Sequence, residues 1–277
     1  MSRNAFRSQI QLYIYIIEFT TLFGQYLRII KEFFGFLQKS YRLRSRCFLA
    51  CSVVHLRKRT WEAKGLRYTD FIWDYDGTLF DTYDAVCRSY MRAVRDKGID
   101  ISWEELRWMS KHSLGWAAQQ LEERYHVPAN ELLALRAHYA DEEETMEAMR
   151  PYPGTAEVLA AICANGGRNY LYSHRDKRSI EALEFYGLRQ YFTDFITKDD
   201  AFPRKPAPDA LLYLVEKHGL NPATCVMVGD RVLDVEAGLN AGMNGALFDP
   251  ENFCKGDAPT PWQFDSMVAL KTALVDE

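Results

Sequence analysis

Asp74-Tyr75-Asp76-Gly77-Thr78 sets two carboxylates two residues apart at the end of an apolar run, Phe71-Ile72-Trp73. If the strand simply continued, both side chains would point to one side. The Gly-Thr pair instead ends it in a tight turn. One carboxylate that attacks and one that moves a proton need this kind of closeness. The same residues also read as a strand running into an Asp-Gly hairpin turn. Three later segments bear on the choice. Leu171-Tyr172-Ser173 puts a small hydroxyl residue at the end of an apolar run. Arg204-Lys205-Pro206-Ala207-Pro208-Asp209 puts a lysine just before a helix start. Val226 to Asp234 ends another apolar run in G-D-x-x-x-D, with the acids at Asp230 and Asp234.

These residue types suit phosphoryl transfer. A phosphate monoester is dianionic and resists an anionic attacker, so its charge must be neutralised and the attacker aligned. Magnesium prefers oxygen ligands and keeps waters, so one or two carboxylates plus substrate oxygens suffice. Asp74, Asp230 and Asp234 supply that ligand type. Each residue also has a plainer explanation. Ser173 reads as a strand-end hydroxyl, Lys205 as a solvated lysine, Asp230 as a helix N-cap, and Asp234 as a first-turn acid favoured by the helix dipole. Four such coincidences in one order are improbable. His174 and Arg175 either reach a substrate or belong to a surface loop. Asp141–Glu144 reads as a solvated helix face, and Arg107, His112 and Trp116 as packing. No G-x-x-x-x-G-K-[ST] loop or G-x-S-x-G elbow occurs, which leaves nucleoside-triphosphatase and serine-hydrolase readings without support.

In order and context the four segments resemble the motifs of the haloacid dehalogenase (HAD) superfamily of phosphohydrolases, subfamily IA-like and phosphoglycolate phosphatase-like. The resemblance covers about residues 67 to 250. It implies that Asp74 attacks phosphorus to form an aspartyl-phosphate, and that Asp76 protonates the leaving oxygen and then activates water. It implies a magnesium ion held by Asp74, Asp230 and the Asp76 backbone carbonyl, with Asp234 in support. Ser173 would hydrogen-bond a phosphoryl oxygen, and Lys205 would neutralise it and orient Asp74. Dehalogenation expels halide and needs no proton donor, so Asp76 favours phosphoryl transfer, as does Thr78. The expected function is a magnesium-dependent phosphatase acting on a small phosphate ester, of the phosphoglycolate or sugar phosphate type. A phosphosugar mutase would use the same residues. A non-catalytic membrane-tethered binding protein is the reading from another class.

Such residues must be positioned by alternating strands and helices. Strands are expected at Tyr68–Trp73, Asn169–Ser173, Phe195–Thr197, Cys225–Val228 and, last, Gly245–Phe248. Helices are expected at Asp81–Lys97, Glu104–Met109, Leu114–Tyr125, Asn130–Met149, Thr155–Ala164, Arg178–Tyr186, Pro208–His218 and Leu233–Ala241. Several stop at a glycine. The alternation predicts an α/β fold with a parallel, doubly wound sheet. The block at about 83–152 has no strand signal and predicts an insertion. The resemblance implies the same: a Rossmann-like core (66–82 and 153–277) with an inserted α-helical cap (83–152). Ligands of open α/β sheets sit beyond the carboxyl ends of the strands, where Asp74, Ser173 and Asp230 fall.

The charge is uneven. Residues 1–65 carry 12 Lys and Arg against 3 Asp and Glu, whereas the remainder carries 22 against 35. An acidic body argues against nucleic acid as the main partner; it does not exclude a small phosphorylated metabolite, since local lysine and a metal ion can dominate a site. The six cysteines form no C-x-x-C and no zinc-finger spacing, a pattern that suits the reducing cytoplasm. The apolar run Ile10–Gly24 is shorter than the roughly 20 residues of a membrane span, and Glu18 interrupts it. Membrane contact through residues 10–59 and an organelle transit peptide both fit it less well than a third reading. In that reading residues 1–65 arise from a start codon placed too far upstream. Trp61-Glu62-Ala63 can be encoded with a purine-rich ribosome-binding stretch just before Leu66.

Overall fold

The computed structural model describes residues 66–254 and 256–276. Strand β1 (Asp70–Trp73) enters the core, and a short β2 (Phe80–Asp81) follows. Four helices come next: α1 (Tyr83–Asp96), α2 (Trp103–His112), α3 (Leu114–Tyr125) and α4 (Ala129–Glu143). The chain returns through β3 (Arg150–Pro151) and then alternates as α5 (Thr155–Ala164), β4 (Arg168–Tyr172), α6 (Arg178–Phe185) and β5 (Phe192–Ile196). It continues through α7 (Asp209–His218), β6 (Cys225–Gly229), α8 (Val232–Asn240), β7 (Asn244–Phe248), β8 (Gln263–Phe264) and α9 (Met267–Leu274).

The main sheet has the order β5-β4-β1-β6-β7-β8, and every pairing in it is parallel. Successive strand residues point to opposite faces, which explains the two apolar layers. Phe71, Trp73, Leu171 and Val228 pack with Leu159 of α5, Leu183 of α6 and Leu270 of α9. Ile72, Tyr170 and Met227 pack with Leu211 and Leu214 of α7 and Ala237 of α8. This is a Rossmann-like doubly wound α/β core. In the buried centre Trp73 Nε1 donates to Asn169 Oδ1 at 2.9 Å, so neither group is left with the roughly 1–3 kcal/mol penalty of an unpaired polar atom.

The inserted helices have their own core, with Tyr90 and Val94 of α1, Leu106 of α2, Leu121 of α3 and Leu132 of α4. Three expectations need correction. The helical block does contain strand: Arg150–Pro151 pairs antiparallel with β2, Phe80 against Pro151 and Asp81 against Arg150. Two residues show no period-2 pattern, so the sequence carried no signal for it. Asp81 is thereby held in a strand, and the first cap helix starts at Tyr83 rather than Asp81. Gly245–Phe248 is also not the last strand, since β8 and α9 follow. The expectations for residues 1–65 lie outside the described residues. Among the described residues no helix is long and apolar enough to cross a membrane.

Candidate active site

Four loops meet at the carboxyl edge of the sheet. β1 stops at Trp73, and the Asp74 N–H still donates to Val228 O on β6 at 2.9 Å. Asp74 is therefore registered against the end of β6, two residues before Asp230. Because β1 pairs only in parallel, the Asp-Gly hairpin reading falls. The turn after it requires Gly77, whose φ is +73°. A Cβ there would lie 2.3 Å from Asp230 Oδ2, so glycine lets the loop close onto the acid.

Lys205 ties the site together. Its Nζ lies 2.7 Å from Asp74 Oδ1, 2.7 Å from Asp234 Oδ1 and 3.1 Å from Tyr172 O, and its side chain is fully buried. It is not the solvated lysine of the plainer reading. Burial acts to lower its pKa, but Asp234 and Asp74 outweigh that and raise it, so it stays charged. The neighbouring loop is fixed by His174, whose Nε2 accepts the Lys205 backbone N–H at 3.1 Å. Burial, with Lys205 and Arg204 nearby, pushes this imidazole down to about 3, which keeps it a neutral acceptor.

Asp230 follows β6, and its Oδ2 accepts a 2.6 Å hydrogen bond from the hydroxyl of Tyr83. It is not a helix N-cap. The start of α8 is satisfied by Asp234, whose Oδ2 accepts the Arg231 N–H at 3.1 Å. Asp74, Asp230 and Asp234 are all buried, and each brings an oxygen within 4.8 Å of the others. Three acids thus face two cations, Lys205 and Arg231, whose Nε is 3.6 Å from Asp230. Burial raises Asp74 to about 6 despite Lys205. Burial likewise raises Asp230 to about 7, with Asp234 and Asp74 adding to it. Asp234 goes the other way. Burial pushes it up, but Lys205 and Arg231 outweigh this and hold it below the usual range.

Asp74 Oδ2 and Asp230 Oδ1 are buried without a hydrogen-bond partner. Buried polar atoms are rarely left so. Oxygen donors, excess negative charge and two orphaned lone-pair sites fit a hard divalent cation.

Asp76 stands apart from this cluster. Thr82 Oγ1 donates to its Oδ1 at 2.7 Å, and Arg175 grips both oxygens. Desolvation acts to raise its pKa, but Arg175 and Thr82 outweigh it and hold the carboxylate below its ordinary value. Ser173 is buried at the end of β4, where its Oγ accepts the Arg175 backbone N–H at 3.0 Å.

Three of the plainer sequence readings fail here. The Arg175 side chain is only 8% exposed, which excludes a surface loop. Glu144 does not belong to a solvated face: its side chain is 1% exposed and takes a 2.8 Å bond from Arg175 Nη1. α4 ends at Glu143, so Glu144 turns inward off the helix. Arg107 is not plain packing either, since it donates twice to Glu251 in the loop after β7. His112 does pack, between Trp108 and Trp116 and against Phe253. Thr82, Tyr83 and Arg231 were missed as site neighbours. Arg231 adjoins a candidate acid in sequence, and Thr82-Tyr83 lies just past the first motif. Only the β2–β3 hinge reveals that Thr82 and Tyr83 turn back onto the two loops.

A doubly wound parallel sheet, an inserted block of helices and clustered acids at the carboxyl edge define a class of α/β hydrolase. Residues 71–248 match the family model for haloacid dehalogenase-like hydrolases, and the chain belongs to that family. It is an enzyme, of the phosphatase kind found there. It is similar to a phosphoglycolate phosphatase of Aliivibrio fischeri, 28% identical over 181 residues, covering 61% of this chain and 79% of that protein. It also resembles an N-acetylmuramic acid 6-phosphate phosphatase of Pseudomonas aeruginosa, 26% identical over 226 residues, covering 77% and 96%. A solved hydrolase of Streptococcus pneumoniae superposes with a TM-score of 0.54 at 29% identity, covering 76% of this chain and 99% of the other.

Proposed function

We propose that the protein is a magnesium-dependent phosphatase that hydrolyses a small phosphate monoester, of phosphoglycolate or sugar phosphate type, through an aspartyl-phosphate on Asp74. The observation that carries this reading is the buried trio Asp74, Asp230 and Asp234, with a fully buried lysine bridging Asp74 and Asp234 and with Asp74 Oδ2 and Asp230 Oδ1 left unpartnered. Asp74, Asp230 and the Asp76 carbonyl would hold magnesium, with Asp234 supporting. When bound, the cation supplies charge neutralisation for an incoming dianion.

An Asp74 carboxylate oxygen attacks phosphorus and the bond to the leaving oxygen breaks. The leaving oxygen keeps the electron pair and takes a proton from Asp76. Water then attacks the phosphoryl group and gives a proton to Asp76. The bond to Asp74 breaks and its carboxylate is restored, releasing inorganic phosphate. Arg175 keeps Asp76 ionised at rest, ready for the second step. For the first step, the approach of a dianionic phosphoryl group raises the Asp76 pKa so that it takes a proton from solvent, and after the second step Asp76 returns its proton to solvent. Lys205 orients Asp74 and balances charge, and Ser173 donates to a phosphoryl oxygen.

A cleft of about 490 Å³ beside Arg231, lined by Trp108, Lys111, His112 and Phe253, is of a size to take a small organic leaving group. Residues 66–82 and 153–277 act as the core and 83–152 as the cap. The described cysteines are free thiols, which supports a cytoplasmic enzyme.

The test is phosphate release from p-nitrophenyl phosphate by the full chain, with magnesium or chelator, beside Asp74→Asn. Expected is magnesium-dependent release, reduced at least a thousandfold in Asp74→Asn. A folded protein with no turnover, or an Asp74→Asn enzyme that retains it, rejects the reading. An isomerised ester from a sugar phosphate, without free phosphate, would mean a mutase.

A further inference from the structure

A chain of ions runs from the partly exposed Asp76 through buried Arg175 and Glu144 into the inserted helices. Arg175 Nε lies 3.0 and 3.2 Å from the two Asp76 oxygens, and Nη2 lies 2.6 Å from Oδ1. The remaining nitrogen, Nη1, donates to Glu144 Oε2 at 2.8 Å. Glu144 Oε1 is bonded in turn by Arg136 of α4 and by Ser89 Oγ of α1, the latter at 3.2 Å. Arg136 Nε closes the loop on Ser89 Oγ at 3.2 Å. Signs alternate along Asp76, Arg175, Glu144 and Arg136, so the chain is neutral overall and each charge has a partner to offset its desolvation. Arg175 itself is rooted in the core. Its N–H is held by Ser173 Oγ, and its carbonyl accepts the Lys198 N–H at 3.0 Å.

We propose that Arg175 is the positioning residue for Asp76, and that Glu144 makes this positioning depend on the cap. The inference rests on the proton-transfer role proposed for Asp76. A planar guanidinium fork fixes both the place and the plane of a carboxylate, and a lysine can fix only the place. Thr82 alone would leave the Asp76 carboxylate free to rotate about one hydrogen bond. Glu144 belongs to the segment that closes the cap. It holds the guanidinium from the far side, so displacing the cap frees Arg175 to swing and Asp76 to turn. A misplacement of about 1 Å is enough to cost on the order of a hundredfold in rate.

The experiment is stopped-flow hydrolysis of p-nitrophenyl phosphate by the full chain with magnesium, comparing wild type, Asp76→Asn, Arg175→Lys and Glu144→Gln. p-Nitrophenolate leaves without a proton, so Asp74 can still be phosphorylated when Asp76 is misplaced, whereas activation of water cannot proceed well. Arg175→Lys is expected to release a burst of about one equivalent per enzyme, then turn over at least tenfold more slowly than wild type, with KM within about threefold. Glu144→Gln is expected to show the same burst with a smaller slowing. A merely structural role would lower the burst amplitude and leave turnover per active site unchanged, and that result overturns the proposal. Slowing in Arg175→Lys but not in Glu144→Gln overturns the dependence on the cap. If Arg175→Lys does not fold, Glu144→Gln carries the test, because it keeps the Arg175 side chain and loosens only its hold from the far side. If Asp76→Asn shows no burst followed by slow turnover, the role of Asp76 falls, and this inference with it.

Discussion

Asp74 and Asp230 are buried beside a third acid, and this makes the metal-free protein sensitive to pH. Their folded-state pKa values, about 6 and about 7, lie above the ordinary 3.8. A raised carboxylate gives stability that is fully present below its unfolded pKa and is lost as pH rises through its folded pKa. In chelator the protein should therefore lose thermal stability between about pH 4 and pH 7. A cation binds the ionised carboxylates, so magnesium should restore that loss. The gap between melting temperatures with magnesium and with chelator should widen from pH 5 to about pH 7 and then level off, and a gap independent of pH would refute the account. Lys205 gives a second prediction at this scale. Lys205→Met leaves Asp74 and Asp234 buried without their shared counter-charge. Urea unfolding in chelator should show a loss of about 3–5 kcal/mol. That Asp74, Lys205, Asp230 and Asp234 come together was legible in residue types and spacing. Asp74 ends one apolar run and Asp230 and Asp234 follow another, which the sheet brings to one edge, and Lys205 stands just before a helix start. For Arg175 the sequence left a site role and a surface loop both open, and Glu144 was not legible. A buried charge and a solvated one have the same letter, and only the partner brought in by the fold tells them apart.

At the scale of elements, loops and the hinge hold the site in register. Gly77→Ala would drive a Cβ into Asp230 Oδ2, at a backbone φ that alanine rarely adopts. Its metal-dependent activity should fall at least about tenfold while the far-ultraviolet circular dichroism stays unchanged. A second contact joins cap to core. Glu251 lies in the loop after β7. It accepts two bonds from Arg107, at 2.5 and 2.7 Å, and lies 2.7 Å from Lys111, both on α2. The hydrogen bond from Arg107 and the one from Lys111 lower its pKa to about 2 although burial acts the other way. A depressed carboxylate contributes above its unfolded pKa of about 4.5 and loses that contribution as pH falls toward its folded value. Glu251→Gln should raise amide hydrogen exchange in Trp103–His112 at pH 7, and no change in that helix would count against the contact. Long periodic elements such as α3 could be read to the residue. The two-residue strands β2, β3 and β8 could not, since their partners and not their patterns define them.

At the scale of the whole molecule, the parallel sheet with helices on both faces followed from the alternation of short apolar runs with amphipathic segments. Its strand order did not. That order depends on which faces dock, and periodicity is silent on docking. Binding a cation only when folded should stabilise the whole core by mass action. The urea midpoint of the full chain should therefore rise with magnesium concentration in wild type and stay flat in Asp230→Asn.

β1 lies in the middle of the sheet, yet its partners come from far along the chain. Lys205 is 131 residues beyond Asp74, and Asp230 is 147 beyond Tyr83. During synthesis the first motif and the whole cap emerge while β6 does not yet exist. Asp74 and Asp76 then meet water as ordinary aspartates, with no excess of negative charge around them. The crowded, cation-hungry cluster forms only after Asp234 has been added and β6 has slotted beside β1. Residues that meet at one spot in the fold are therefore made at well-separated times, and the acids can come together only once β6 exists.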